Sequence, residues 1–218
     1  MNSPLIQLLV LAGIAIFLIL RLKSVLGTRD GFEKPPLPNP GPAPARRGFE
    51  VIDGGPDHDI TDHVDKDSDI ARDLAAMKRV EPEFSVTDFI QGARSAYEMI
   101  LMGFEHGKLD EIKPFLSEDV FQAFVDGVAA REDQGLTVEA EFIGVRETRI
   151  QDVTFDKDTN QAEVTMRFIA EMTWVVRDKG GDIIEGSPTS IKRQKDNWTF
   201  ARVMGSKDPN WLLVATDA

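Results

Sequence analysis

The chain has 218 residues, no cysteine, and 25 Lys+Arg against 37 Asp+Glu, a formal charge of −12. Without cysteine, disulfides, thiolate chemistry and the common structural zinc sites are excluded, and with no basic block to neutralise phosphates the balance argues against a nucleic-acid partner. Once an apolar start and a Pro/Gly/Asp-rich segment are set aside, about 135 residues remain, enough for one domain with a real core.

The run LIQLLVLAGIAIFLIL, Leu5 to Leu20, has Gln7 as its only polar side chain. A soluble helix would show a polar stripe, and a cleaved secretory signal would carry basic residues before the run and a small-residue cleavage site after it. Instead Met1 to Pro4 holds no Lys or Arg, and Arg21, Lys23 and Arg29 follow the run directly. As a helix the run reaches about 24 Å against a hydrocarbon core of about 30 Å. Leu22, Val25 and Leu26 extend the apolar face while Arg21 and Lys23 snorkel. Residues 1–27 are therefore expected to be a retained single-pass anchor that partners the lipid bilayer. Because the flanking cations all follow the span, the N-terminus is expected outside and the rest of the chain in the cytoplasm.

Residues 28–77 show no sustained apolar period and read as a flexible Pro/Gly/Asp-rich tether. In KPPLPNPGPAPARRG, Lys34 to Gly48, the prolines remove helix and ladder hydrogen bonding. Asp53 to Asp73 holds eight Asp against Lys66 and Arg72, a composition that repels itself and buries little. A helix is expected to start near Asp67 and run to Val80. Asp65, Asp67 and Asp69 imitate the start of a calcium loop, but Ile70 stands where glycine must turn and Ala76 where a bidentate Glu should be. Asp156, Asp158 and Asn160 fail in the same way and read as a hairpin turn. His58 and His63 among the aspartates make too hydrated a set for a metal site, so no metal and no cofactor is expected.

Residues 78–218 read as the folded domain. Ser85 caps a helix whose Phe89, Ala93, Tyr97, Ile100, Leu101 and Phe104 share a face and which Gly107 stops. A short helix follows at Asp110 to Leu116, and Ser117 caps a third, with Val120, Phe121, Phe124, Val125 and Val128 as its stripe, ending at Gly135. The period then changes to two. In QAEVTMRFIAEMTWVVRD, Ala162, Val164, Met166, Phe168, Ala170, Met172, Trp174 and Val176 face one way, a long half-buried strand. Further strands are expected at Thr137 to Val145, Ile150 to Phe155, Ser187 to Gln194, Trp198 to Met204 and Trp211 to Thr216, joined by the turns DKDTN, DKGGD, KDN and SKDPN. Helices first and an antiparallel meander afterwards give an α+β fold.

The segments FIQGARSAYEMILMGFEHGKLDEIKPFLSEDVFQAF, VRDKGGDIIEG, NWTFAR and KDPNWLLVAT resemble the C-terminal domain of the mitochondrial inner-membrane translocase subunit forty-four, and most closely its membrane-anchored alphaproteobacterial relatives. The resemblance covers about Phe84 to Thr216. It implies a cone-shaped fold like that of nuclear transport factor two, with helices closing a curved sheet over an apolar pocket. It also implies work at an inner membrane, bacterial in this case, as an adaptor for a chaperone, a translocase or a ribosome. The N-terminal region departs from the mitochondrial pattern, so chaperone binding does not carry over.

Met166, Phe168, Met172 and Trp174 are candidates to line such a pocket, with plain core as their other role. Trp198 and Trp211 read as core pieces. Lys192, Arg193 and Lys195 form the cationic cluster of a domain whose net charge from Phe84 onward is −9, from 15 Lys+Arg and 24 Asp+Glu, and are candidates for contact with lipid or a partner. Arg202 and Asp208 are placed to pair across the last hairpin. The inward face of the long strand offers no acid or base, and His106 sits at a helix end where capping the last carbonyls explains it. No catalytic residue is assigned. The expected function is a non-enzymatic adaptor or scaffold; an apolar-ligand or lipid-binding module and an isomerase- or hydratase-like enzyme are the alternatives.

Overall fold

The computed structural model describes residues 57–217. The expected anchor, with Arg21, Lys23 and Arg29, and the expected tether up to residue 56 lie outside the described residues. Among the described residues, no helix is long and apolar enough to cross a membrane.

Asp57 caps the short helix α1, His58–Thr61, and Ser68 caps α2, Asp69–Val80. The tether was expected to run to residue 77, but Ile60, Leu74 and Met77 are buried in the domain core. Ile60, Ala71, Leu74 and Met77 supply enough apolar surface to dock both helices, and the aspartates that argued for a solvated chain are absorbed as caps, turns and ion pairs. Asp57 and Asp59 each meet Lys78 at 2.8 Å. Asp59 also accepts the N–H groups of Val86 (2.7 Å) and Thr87 (2.9 Å) at the start of the next helix. The expected helix from near Asp67 to Val80 is α2.

That next helix, α3, spans Val86–Glu105 with Ser85 as its cap. It ends where Gly107 takes φ +68° and the N–H groups of Gly107 and Lys108 bond back to Phe104 and Gly103, the left-handed stop that glycine provides. α4, Leu109–Ile112, and a 3₁₀ turn, Lys113–Phe115, lead to α5, Glu118–Asp133, capped by Ser117.

Four strands follow: β1 Thr137–Phe155, β2 Gln161–Arg177, β3 Ile183–Val203 and β4 Leu212–Asp217. They pair antiparallel in the order β1-β2-β3-β4. Two corrections to the expected strands have physical causes. β1 is continuous where two strands were expected, because bulges near Ile143, Arg146 and Gln151 break the alternation without ending the ladder. β3 runs straight through KDN, where a turn was expected, since Asp196 is buried and pairs in register with Phe168. At Asp156 to Asn160 the expected turn forms, with Asp156 accepting the N–H of Asp158 at 2.8 Å and Asn160 at φ 58°.

The core lies between α2, α3 and one face of β2 and β3. Ala162, Val164, Met166, Phe168, Ala170 and Met172 are fully enclosed there. Tyr97 of α3 stacks on Phe168 at 4.3 Å and packs on Trp198 at 4.6 Å. The helices thus cover one face of the meander.

Candidate functional site

α3 presents Phe89, Gly92, Ala93, Ala96 and Ile100 along one side, and the small residues among them leave a hollow. Opposite stand Phe200 of β3, Trp211 just before β4, Phe84 and Phe115, which close a cavity of about 400 Å³. Trp211 meets Phe89 at 4.7 Å and Phe84 at 6.1 Å between ring centres, and Phe89 meets Phe200 edge-on at 6.3 Å. Glu83 and Asp88 also line the cavity.

Arg202 fixes its wall. Its side chain is 8% exposed and pairs with Glu81, while Nη1 donates to the Pro209 carbonyl at 3.1 Å. The guanidinium lies 5.4 Å from the Trp211 ring centre, a cation–π contact. Glu81 also accepts the Gly205 N–H at 2.9 Å. Burial works to raise the Glu81 carboxyl, but the hydrogen bonds from Arg202 and Gly205 outweigh it and hold the group below the usual carboxylate range. One arginine therefore ties the end of α2 to the loop that carries Trp211. Asp208, the partner expected for Arg202, instead accepts the Asn210 backbone N–H at 3.0 Å.

The residues singled out in the sequence stand elsewhere. Met166, Phe168 and Met172 have no exposure and fill the core; none of them lines this cavity. Trp174 is half-buried and donates its indole N–H to Glu105 at 3.2 Å. Strand alternation divides the cationic cluster. Lys192 sits 4.3 Å above the Trp174 ring, while Arg193, with its side chain on the other face, joins Arg146 in holding Glu171 at 3.2 and 2.6 Å. Lys195 is exposed. Trp198 is core, as expected, whereas Trp211 is a wall of the cavity. His106 is the C-cap residue of α3, its backbone N–H bonded to the Met102 carbonyl at 3.0 Å, while its ring donates from Nε2 to the Ala140 carbonyl of β1 at 2.9 Å and so links α3 to the sheet.

Sequence reading missed an inward acid. Asp196 is 5% exposed and accepts the Tyr97 hydroxyl at 2.5 Å. Burial pushes its carboxyl up, against the hydrogen bonds from Tyr97 and Gln194 and the charge of Lys192. The small-residue run Gly92-Ala93-x-x-Ala96 on the apolar side of α3 was the available signal for the hollow; reading KDN as a turn hid Asp196.

These elements make an α+β domain with helices on one face of an antiparallel meander and an aromatic cavity between α3 and the last strands. The family is specific. The chain belongs to the Tim44-like domain family, whose model matches residues 70–218 and so takes in nearly all of α2. It is 20% identical over 145 residues to the mitochondrial import inner membrane translocase subunit TIM44-1 of Arabidopsis thaliana, a match covering 66% of this chain and 30% of that protein. Among solved structures, the intermembrane space region of the chloroplast protein ARC6 is similar at 15% identity with a TM-score of 0.34, over 50% of this chain and 75% of that one.

Proposed function

We propose that this chain is a non-enzymatic, membrane-anchored adaptor whose domain holds a protein partner beside the bilayer through the cavity between α3 and Trp211. The anchor is the run Leu5–Leu20, in a bacterial inner membrane, with the N-terminus outside and the domain in the cytoplasm. Membership of the Tim44-like family supports the reading, since a relative bears the name of an inner-membrane import translocase subunit. The observation that carries it is the cavity itself: about 400 Å³ walled by Phe84, Phe89, Phe200 and Trp211 with Glu83 and Asp88 beside them. Such a hollow fits an apolar segment carrying positive charge. Glu81, held ionised by Arg202 and Gly205, is a poor proton acceptor, which argues against base chemistry at that wall.

A photo-crosslinking residue at Asn210, placed in the full-length chain in intact cells, tests the proposal. Defined protein adducts that weaken in Trp211→Ala are expected. Adducts to lipid alone would sink it. The cavity's volume and apolar wall also favour a second reading, an apolar small ligand or lipid as guest. Native mass spectrometry of the full-length chain released from micelles would then show a retained ligand, and a chain that emerges empty removes this reading.

A further inference from the structure

The sheet face turned away from α2 and α3 carries a strip of cations in an otherwise acidic domain. Register places Arg149 of β1 directly opposite Arg167 of β2, with Asn197 of β3 beside it. The next rows on the same face are Glu147, Ile169 and Lys195, then Gly144, Glu171 and Arg193, and Arg146 reaches Glu171 from its bulge at 2.6 Å. Arg146, Arg149, Arg167, Arg193 and Lys195 thus outnumber Glu147 and Glu171 there. The borders of the strip are acidic: Glu139 and Glu141 at one end, Asp152 and Glu163 at the other, all exposed. Glu171 absorbs Arg146 and Arg193, and Glu147 reaches Arg149 only at 3.4 Å. Among the described residues, Arg167 and Lys195 are in no ion pair. The Nε of Arg167 is buried without a hydrogen-bond partner, so no internal acceptor takes that donor.

Like charges directly opposite on neighbouring strands are destabilising, so the Arg149 and Arg167 pair costs the fold something that nothing inside the domain returns. One carboxylate lying over the pair would offset that repulsion: opposed Cβ atoms stand about 5 Å apart, and its two oxygens can accept from the two guanidiniums together. The spacing of the rows favours an extended chain as the carrier of that carboxylate. Rows on one face repeat every two residues, about 7 Å, which is also the spacing of alternate side chains in an extended segment. From Arg193 to Asn197 the strip is about 13 Å long at about 3.3 Å per residue, room for about two acidic side chains. A planar anionic leaflet that touched it would also meet the acids at its borders. We infer that this strip receives an acidic, extended segment of a protein partner, with one carboxylate bridging Arg149 and Arg167 and the next at Lys195. The inference goes beyond the proposed function, because the aromatic cavity opens on the other face of the sheet, where Phe200 pairs in register with the buried Val164.

The test titrates the full-length chain in dodecylmaltoside micelles with a fluorescently labelled peptide of alternating Glu and Ser, and with the same peptide carrying Gln for Glu, following anisotropy. Saturable binding that weakens with added salt is expected for the Glu peptide, at least about tenfold tighter than for the Gln peptide. Arg149→Gln should weaken it about tenfold and leave the melting temperature equal or higher, since the opposed charge is gone; Arg167→Gln should weaken it as well. Arg149 is exposed, so its variant decides the matter even where Arg167→Gln fails to fold. Equal binding of the Gln peptide, or unchanged affinity in Arg149→Gln, overturns the site. Trp211→Ala should bind the peptide like the unaltered chain; a loss there as large as in Arg149→Gln places the peptide in the aromatic cavity and overturns the strip. Displacement of the peptide by an equal concentration of free glutamate, or of phosphatidylglycerol mixed into the micelles, overturns the assignment to a protein segment. Self-association of the chain that Arg149→Gln abolishes gives the strip to a second copy and overturns that assignment too.

Discussion

Asp59 gathers more of the fold onto one side chain than its place in an aspartate-rich segment suggests. Its carboxylate meets Lys78, the Val86 and Thr87 N–H groups and the Ser85 hydroxyl, so it neutralises α2 and caps α3 together. Burial works to raise its pKa, and the bonds from Lys78, Thr87 and Val86 overcome that, leaving the group far below the ordinary aspartate value. A carboxyl lowered on folding stabilises the fold fully above its unfolded pKa, and that stability is lost as pH falls through the folded value. Asp59→Ala should therefore cost about 1–3 kcal/mol in urea unfolding at pH 7. The gap between the two proteins should narrow as pH drops below 3.8. A gap that stays constant from neutral pH down to the acid transition would show that the charge is not what matters.

Within α3, two glycines ask opposite questions of the same helix. A Cβ on Gly92 would meet nothing within 4 Å, whereas one on Gly103 would come within 2.5 Å of Ile112. Gly92→Ala should gain about 0.5–1 kcal/mol from helix propensity, and Gly103→Ala should lose about 1–3 kcal/mol to overpacking, both read from thermal unfolding. Gly92 also lines the aromatic cavity, so a stabilised Gly92→Ala with weakened partner capture would show that the hollow, not the helix, is what the glycine serves. α2 carries the clearest test of the domain's limit. A chain beginning at residue 78 loses Ile60, Leu74 and Met77, each buried side chain contributing about 1.5–3 kcal/mol, together comparable with a typical domain's whole stability of about 5–15 kcal/mol. It should show no cooperative melt, while a chain beginning at residue 57 should; equal melting of the two would return α2 to the tether. The serine caps of α3 and α5 and the alternation of β2 were legible because each signal is local. The course of β1 was not, since three bulges scramble a period of two, and β3 was misread because Asp196 is tolerated inside only through Tyr97, 99 residues away in sequence. Met166, Phe168 and Met172 share a sheet face with Phe200, but α3 covers them, and the space lies farther along, where that helix carries small residues.

For the whole chain, the proposed function raises the question of what would bring so acidic a domain to a membrane. From Phe84 onward its net charge is −9, from 15 Lys+Arg and 24 Asp+Glu, and its cationic cluster is divided between two sheet faces, with Arg193 spent on Glu171. An anionic leaflet attracts basic segments at about 1 kcal/mol per cation and repels a surface of this sign, so the domain alone should bind anionic vesicles weakly. In the proposed arrangement Leu5–Leu20 supplies the affinity, and Arg21, Lys23 and Arg29 set the side on which the domain lies. A C-terminal fusion to a phosphatase active only outside the cytoplasm should therefore be silent in a bacterial host. Moving the cations, by Arg21→Gln, Lys23→Gln and Arg29→Gln with three lysines added before Leu5, should turn the reporter on, because the segment then retains its hydrophobicity but reverses its charge bias. An active reporter on the unaltered chain would overturn the orientation and place the cavity between α3 and Trp211, with any partner it holds, on the other side of the membrane.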